Sequence, residues 1–345
     1  MVGRAKKLFR TMLRLMGVSL YKIGLARWVI ARTTRTRVVL YHAVELSESS
    51  YTKGLGVCIS PETFALHLDY FQKFYGVMSI NDYLATPAEK MHPAPLLITF
   101  DDGYASVMEH AVPALEARTM SATVYLIGNA VRGRMVWVNR LNQALNDYPA
   151  AAREVLSVYP GLIDRSRRGI IHHIQTTFTP MKIDALICQL ESLVPDLTSK
   201  SDKLFSSPED IRQMQTRGIE FGFHSNDHWN LGRCKDKDLD TTLTTNGIEK
   251  LINSNTFAYP FGYFSASAIG RLKRQGYKLL MTVGSNNERF SELHLDRTEV
   301  FETSSATLFA RLEIEEAFVS ALRRWLHRRR TQATQLFTPN QKRTA

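Results

Sequence analysis

Apolar residues along this chain come in short runs and in helical stripes, and the two alternate. The run Val38-Val39-Leu40-Tyr41 is β-branched and aromatic, which predicts a buried strand over 38–41. Ser60-Pro61 then reads as a helix start, with Ser as N-cap and Pro in the first turn. Phe64, Leu68, Phe71 and Tyr75 follow as the apolar stripe of that helix. Further strands are predicted at 96–100, 122–127, 219–223, 257–259, 278–283 and around 298–301, and a helix over 111–117. Ser207-Pro208-Glu209-Asp210 has the form of a capping box. Strand and helix alternating over most of the chain imply an α/β fold with a largely parallel sheet, open or closed into a barrel. In such folds the reactive groups gather where strands end.

Residues 129–203 break this rhythm. They are helical in pattern, with Ile183, Leu186, Ile187, Leu190 and Leu193 on one face, and are expected as a helical insertion or cap. The first 37 residues form a separate segment. Leu8, Met12, Leu15 and Met16 recur at helical spacing, interleaved with Arg4, Lys7, Arg10 and Arg14. A second apolar stretch, 18–30, is broken by Lys22 and Arg27. Two readings stand side by side: a peripheral helix drawn to anionic lipid, or a helix packed on the domain with a solvated basic face.

Composition sharpens this division. The 345 residues are 44% hydrophobic and 22% charged, which excludes wholesale disorder. The net charge is +11, yet 1–37 holds ten Lys or Arg without an acid, and 321–345 holds seven without an acid. The catalytic segment between them, 38–320, is therefore net acidic. That argues against a nucleic-acid enzyme, whose basic groups line a groove of the fold. It suits basic termini that touch an anionic membrane. The C-terminal tail repeats the theme, with Arg323, Arg324, Arg328, Arg329 and Arg330 around Trp325 and Leu326. No run of eighteen apolar residues and no cleaved secretory leader is expected. Cys58, Cys188 and Cys234 are too few and too scattered for a disulfide framework, and fit a reducing compartment. A cytoplasmic location, peripheral at the inner membrane face, follows as the expectation.

The candidate chemistry sits at strand ends. Thr99-Phe100-Asp101-Asp102-Gly103-Tyr104 puts two adjacent carboxylates directly after an apolar strand. A helix N-cap would account for one Asp and not for both. Adjacent acids stay ionised together only beside a strong cation, and a metal supplies one. His224-Ser225-Asn226-Asp227-His228 follows another strand, and two His four apart can face one metal if the segment turns helically. Two imidazoles and one carboxylate suit zinc or a similar divalent ion and leave a coordination position open. Phe257-Ala258-Tyr259-Pro260-Phe261-Gly262 reads as a pocket wall or a plain turn. His42, after the first strand, is either a general acid or a structural His. His172 and His173 are helical neighbours that point apart, and Cys234 as a fourth ligand would close the open position.

Taken together, T-F-D-D-G-Y, H-S-x-x-H and A-Y-P-F-G resemble the NodB-homology polysaccharide deacetylases, carbohydrate esterase family four, over roughly residues 36 to 303. The resemblance implies a distorted (β/α) barrel and metal-dependent removal of acetyl groups from sugars. It assigns Asp102, His224 and His228 to the metal and Asp101 to the catalytic base. It gives the backbone N–H of Tyr104 to the oxyanion. The Val-Leu-Tyr-His-Ala-Val stretch is similar to the subgroup with poly-N-acetylglucosamine deacetylases, in which His42 would be the acid. Leu293-His294-Leu295 echoes the alternative C-terminal acid, His294. No Arg precedes Pro260, and Arg297 resembles a late Arg of the same subgroup that takes its orienting role. Trp229 stands where many members have Pro or Arg, and either stacks on a sugar or packs.

The expected activity is therefore deacetylation of N-acetylated sugars of a polysaccharide or its lipid-linked precursor. A hydrolase of a small C–N substrate and a non-catalytic sugar-binding or scaffold protein are the alternatives. An open groove would favour polymer, and a cap closed over the site a small or lipid-linked sugar.

Overall fold

The computed structural model describes residues 2–33, 35–197, 204–284, 293–319 and 321–322. Seven strands run parallel, each beside the next: β1 (Arg37–Tyr41), β2 (Pro95–Phe100), β3 (Ala122–Leu126), β4 (Ile219–Phe223), β5 (Thr256–Ala258), β6 (Leu279–Val283) and β7 (His294–Glu299). β7 pairs in turn with β1, Leu40 opposite Glu299, so the sheet closes on itself. The fold is the expected α/β barrel, distorted in having seven strands. A short strand, Gly76–Val77, pairs with the start of β2 outside the ring.

Strand composition explains the closure. β1 to β5 are buried at every position, as parallel strands covered on both faces must be. β7 departs from this: His-Leu-Asp-Arg-Thr-Glu is polar, yet only partly exposed. It starts before the predicted position because its pairing with β6, and not its own hydrophobicity, fixes it. The helix expected at 111–117 begins earlier, as a π-turn over Val107–Ala111 that runs into Val112–Glu116. Ser60 caps Pro61–Phe74 by accepting from the Thr63 N–H at 3.2 Å. The Ser207–Asp210 capping box forms in both directions.

The insertion is helical, as its pattern indicates. Trp137–Asp147, Pro149–Ser157, Arg167–Thr177 and Pro180–Leu193 enclose a core of their own, with Leu141, Ile174, Leu186 and Leu190 fully buried. Residues 198–203 at its end lie outside the described residues.

The chain divides into two compact units, Thr34–Phe301 with the barrel, and Met1–Thr33 with Glu302–Ala345. Among the described residues, 302–319, 321 and 322 thus group with the N-terminal helices, whereas the sequence reading carries the catalytic segment to 320. In the second unit, helix Val2–Lys22 packs on Ser305–Phe309 and its continuation, with Tyr21 5.8 Å from the Phe309 ring. Arg10 and Arg14 both reach the fully buried Glu315. The basic tail expected over 321–345 lies outside the described residues beyond Leu322.

Candidate active site

β2 ends in Asp101 and the chain then turns sharply. Alternation along the strand puts Leu97, Thr99 and Asp101 on one face. Two successive strand residues cannot share a face, and Asp102 escapes this by adopting a φ of 71° before Gly103 at 78°. Among the described non-glycine residues with positive φ, four are Asp102, Ser225, His228 and Phe261, all at this end of the barrel. Left-handed backbone is costly and persists where the surroundings hold it in place.

The His pair converges by such a turn and not by a helix. His224 follows β4 directly, and its Nδ1 lies 2.7 Å from the Ala258 carbonyl oxygen. A carbonyl only accepts, so Nδ1 carries the proton and Nε2 presents a lone pair. Ser225 and His228 have φ of 65° and 55°, and the His228 N–H donates to Ser225 Oγ at 3.2 Å. The His228 ring rests edge-on against Phe261, 4.4 Å between centroids. Its backbone carbonyl accepts from the Trp137 indole N–H at 3.0 Å.

Both imidazoles meet Asp102. Its Oδ1 lies 3.2 Å from His228 Nε2 and 3.5 Å from His224 Nε2. That oxygen is buried and accepts no hydrogen bond. One ligand atom from each of the three buried residues falls within 4.8 Å of the others. Burial pushes the His228 imidazole down to about 4, so it stays in the neutral form that ligates. A buried, unsatisfied carboxylate oxygen faced by two imidazoles fits a divalent cation such as zinc. Cys234 is not in this group, and its thiol donates to the Asn230 carbonyl.

Asp101 has a different partner. Arg297 Nη1 and Nη2 donate to its two oxygens at 2.6 Å each, a bidentate pair with the guanidinium fully buried. The same Arg lies over the Tyr125 ring and near Thr99 Oγ1. Burial would raise the Asp101 carboxyl, but Arg297, and then His224, hold it well below the usual carboxylate range. Asp101 Oδ2 is also 3.7 Å from His224 Nε2. The two adjacent acids are thus separated by environment, one facing the His pair and one facing a cation.

These groups form the floor of a cavity of about 280 Å³. His42, Asp101, Asp102, Tyr104, His224 and His228 all line it. Among the described residues nothing accepts from the Tyr104 backbone N–H. His42 Nδ1 stands 3.6 Å from Glu299 Oε1, too far for a hydrogen bond. Glu299 also lines the cavity, and the sequence reading did not single it out. It lies two residues after Arg297 on the same strand, a period-2 spacing that could have flagged it. Phe261 serves as wall, as the aromatic turn suggested. One side of the cavity is built from the insertion: Val138, Asn139, Arg168, Ile171, His172 and Gln175.

Three sequence candidates fall elsewhere. His294 opens β7 at the end away from Glu299, stacked against the touching rings of Tyr259 and Phe264, and does not line the cavity. Trp229 packs against the insertion core and lines a second cavity. His173 packs on Phe178, while its neighbour His172 faces the first cavity.

A polysaccharide deacetylase family model matches residues 88–280. It takes in both metal-site motifs and the aromatic turn, and leaves His42 and Arg297 outside. Among solved structures, the Streptococcus pyogenes deacetylase PplD in complex with acetate matches with a TM-score of 0.52 at 16% identity, over 81% of this chain and 98% of that one. IcaB from Ammonifex degensii matches with a TM-score of 0.51 at 18% identity, over 81% and 98%. At such identity the likeness speaks for the fold. No curated protein matches the sequence.

Proposed function

This chain belongs to the polysaccharide deacetylase family, and from that premise we propose that it hydrolyses the acetamide of N-acetylated sugars with a divalent metal, zinc by preference. It is a hydrolase of the C–N bonds of acetylated sugars. The observation that carries the finer reading is the meeting, on one cavity floor, of an Asp102–His224–His228 cluster with Asp101, which Arg297 holds separately from beneath the floor.

A divalent ion on Asp102, His224 and His228 would polarise the acetyl carbonyl and acidify a water. Asp101, ionised and aimed by Arg297, takes the proton of the attacking water. The free Tyr104 N–H donates to the oxygen on which charge develops, worth roughly a hundredfold in rate. His42, in its protonated form, gives its proton to the departing nitrogen, with the Glu299 carboxylate 3.6 Å from its Nδ1. An amine leaves poorly without that proton, whereas an acetate ester needs it less.

The cavity size and the insertion wall support a substrate that enters one sugar at a time, at a chain end or on a small or lipid-linked carrier. About 280 Å³ lies just below the range of ligand pockets, about 300 to 1,000 Å³. His42→Ala tests the assignment: amide cleavage should fall at least about a hundredfold, and ester cleavage much less. Equal loss on both substrates with metal still bound would make His42 structural. Asp101→Asn should abolish both activities and leave metal bound.

A further inference from the structure

Helix Val2–Lys22 presents three faces, and the unit it belongs to covers one of them. At 3.6 residues per turn, Leu13, Gly17 and Tyr21 share a side. Leu13 and Gly17 are buried there, and a Cβ on Gly17 would sit 2.5 Å from the Ala310 Cβ, so the two backbones touch. Next to this side runs a basic edge, Lys7, Arg10 and Arg14. The remaining side is apolar and bare. Leu8, Met12, Leu15 and Met16 are 65, 60, 63 and 49% exposed. Beyond the helix end Ile23 and Trp28 are also 68 and 55% exposed, the Trp28 ring carrying the Arg32 guanidinium at 4.0 Å.

This concentration is unusual. Ten of the fifteen exposed large hydrophobics among the described residues belong to the unit of Met1–Thr33 and Glu302–Ala345. Soluble surfaces scatter such residues singly, and a contiguous bare patch marks a contact surface. The charges around it select the partner. Residues 1–37 carry ten Lys or Arg and not one acid. Arg10 and Arg14 are engaged by Glu315, and Lys7 and Lys22 remain as cations of this helix. An apolar stripe beside such cations matches a membrane surface with anionic headgroups, where the acyl boundary takes the stripe and the phosphates take the cations. No described helix is long and apolar enough to cross a membrane, so the contact is one of lying on the surface.

We propose that the face formed by Leu8, Met12, Leu15 and Met16, with Ile23 and Trp28 beyond the helix end, docks on an anionic lipid surface, with Lys7 and Lys22 at headgroup level. The proposal stands independently of the deacetylase reading. It also resolves the two readings of the sequence: the helix packs with one face and keeps another for lipid.

The test uses the full chain and vesicles of phosphatidylcholine alone or mixed with phosphatidylserine at about three to one. The chain should sediment with the mixed vesicles, and Trp28 fluorescence should shift to the blue. Pure phosphatidylcholine or high salt should weaken binding at least about tenfold. Lys7→Gln and Lys22→Gln should each weaken it about fivefold. The triple variant Leu8→Ser, Met12→Ser, Leu15→Ser should lose it at least about tenfold, with acetate release in solution unchanged. Absence of binding by the native chain overturns the proposal. So does a native dimer that the triple variant turns into a monomer, since a second copy then covers the face. Binding that survives the triple variant and disappears on removing residues 323–345 assigns lipid contact to the tail and overturns it equally.

Discussion

Asp101 and Asp102 are the same residue type in adjacent positions, and nothing in their local sequence tells them apart. Their environments do. Arg297 grips both oxygens of Asp101, while Asp102 offers an unsatisfied oxygen to two imidazoles. The presence of a paired-acid site was readable from the strand end alone. The division of roles came only through family resemblance, because Arg297 lies nearly two hundred residues away. Glu299 was missed for the same reason: its meaning depends on β7 lying beside β1, which sets it next to His42. A prediction follows for the ion pair. Arg297→Gln leaves a buried carboxylate unpaired and should cost about 3–5 kcal/mol of stability at pH 7, read by urea unfolding. The Asp101 carboxyl lies below its unfolded value of about 3.9, so the pair stabilises above that pH. That stability is lost as pH falls through the lower folded value. The variant should therefore show a flatter acid limb below about pH 4, and an unchanged limb would contradict the pairing.

Elements with a strong apolar signal were legible from the chain. β1 to β6 fall within a residue or two of their predicted bounds, because burial on both faces demands continuous apolar runs. β7 was placed late, since its polar residues are buried by partners and not by hydrophobicity. The insertion was legible as a break in rhythm, but its service as a cavity wall was not, because that depends on long-range packing. The helix Trp137–Asp147 has a second service. Its Trp137 indole N–H holds the His228 carbonyl, at a residue whose φ of 55° needs restraint. Trp137→Phe keeps the ring and removes the donor. It should lower zinc affinity roughly tenfold and kcat with it, with KM little changed. Calorimetric zinc titration of the two proteins checks this, and equal affinities would reduce Trp137 to packing.

At the scale of the whole molecule, the sequence left open whether the sheet closes. Closure is settled by β7 meeting β1, and it gathers residues from positions 42 to 299 on one cavity floor. The charge asymmetry was visible from the start, with basicity outside an acidic middle. The grouping of the described residues after 301 with the N-terminal helices was not, because no local pattern announces that packing. The central claim is that this floor performs metal-dependent sugar deacetylation. It is tested most directly by acetate release from N-acetylglucosamine and its short oligomers, by purified protein, with chelator and after added zinc, beside Asp101→Asn. Native protein should release acetate, lose this with chelator and regain it with zinc, while Asp101→Asn binds zinc and stays inactive. Release that chelator leaves untouched, or an Asp101→Asn protein as active as the native one, would contradict the account.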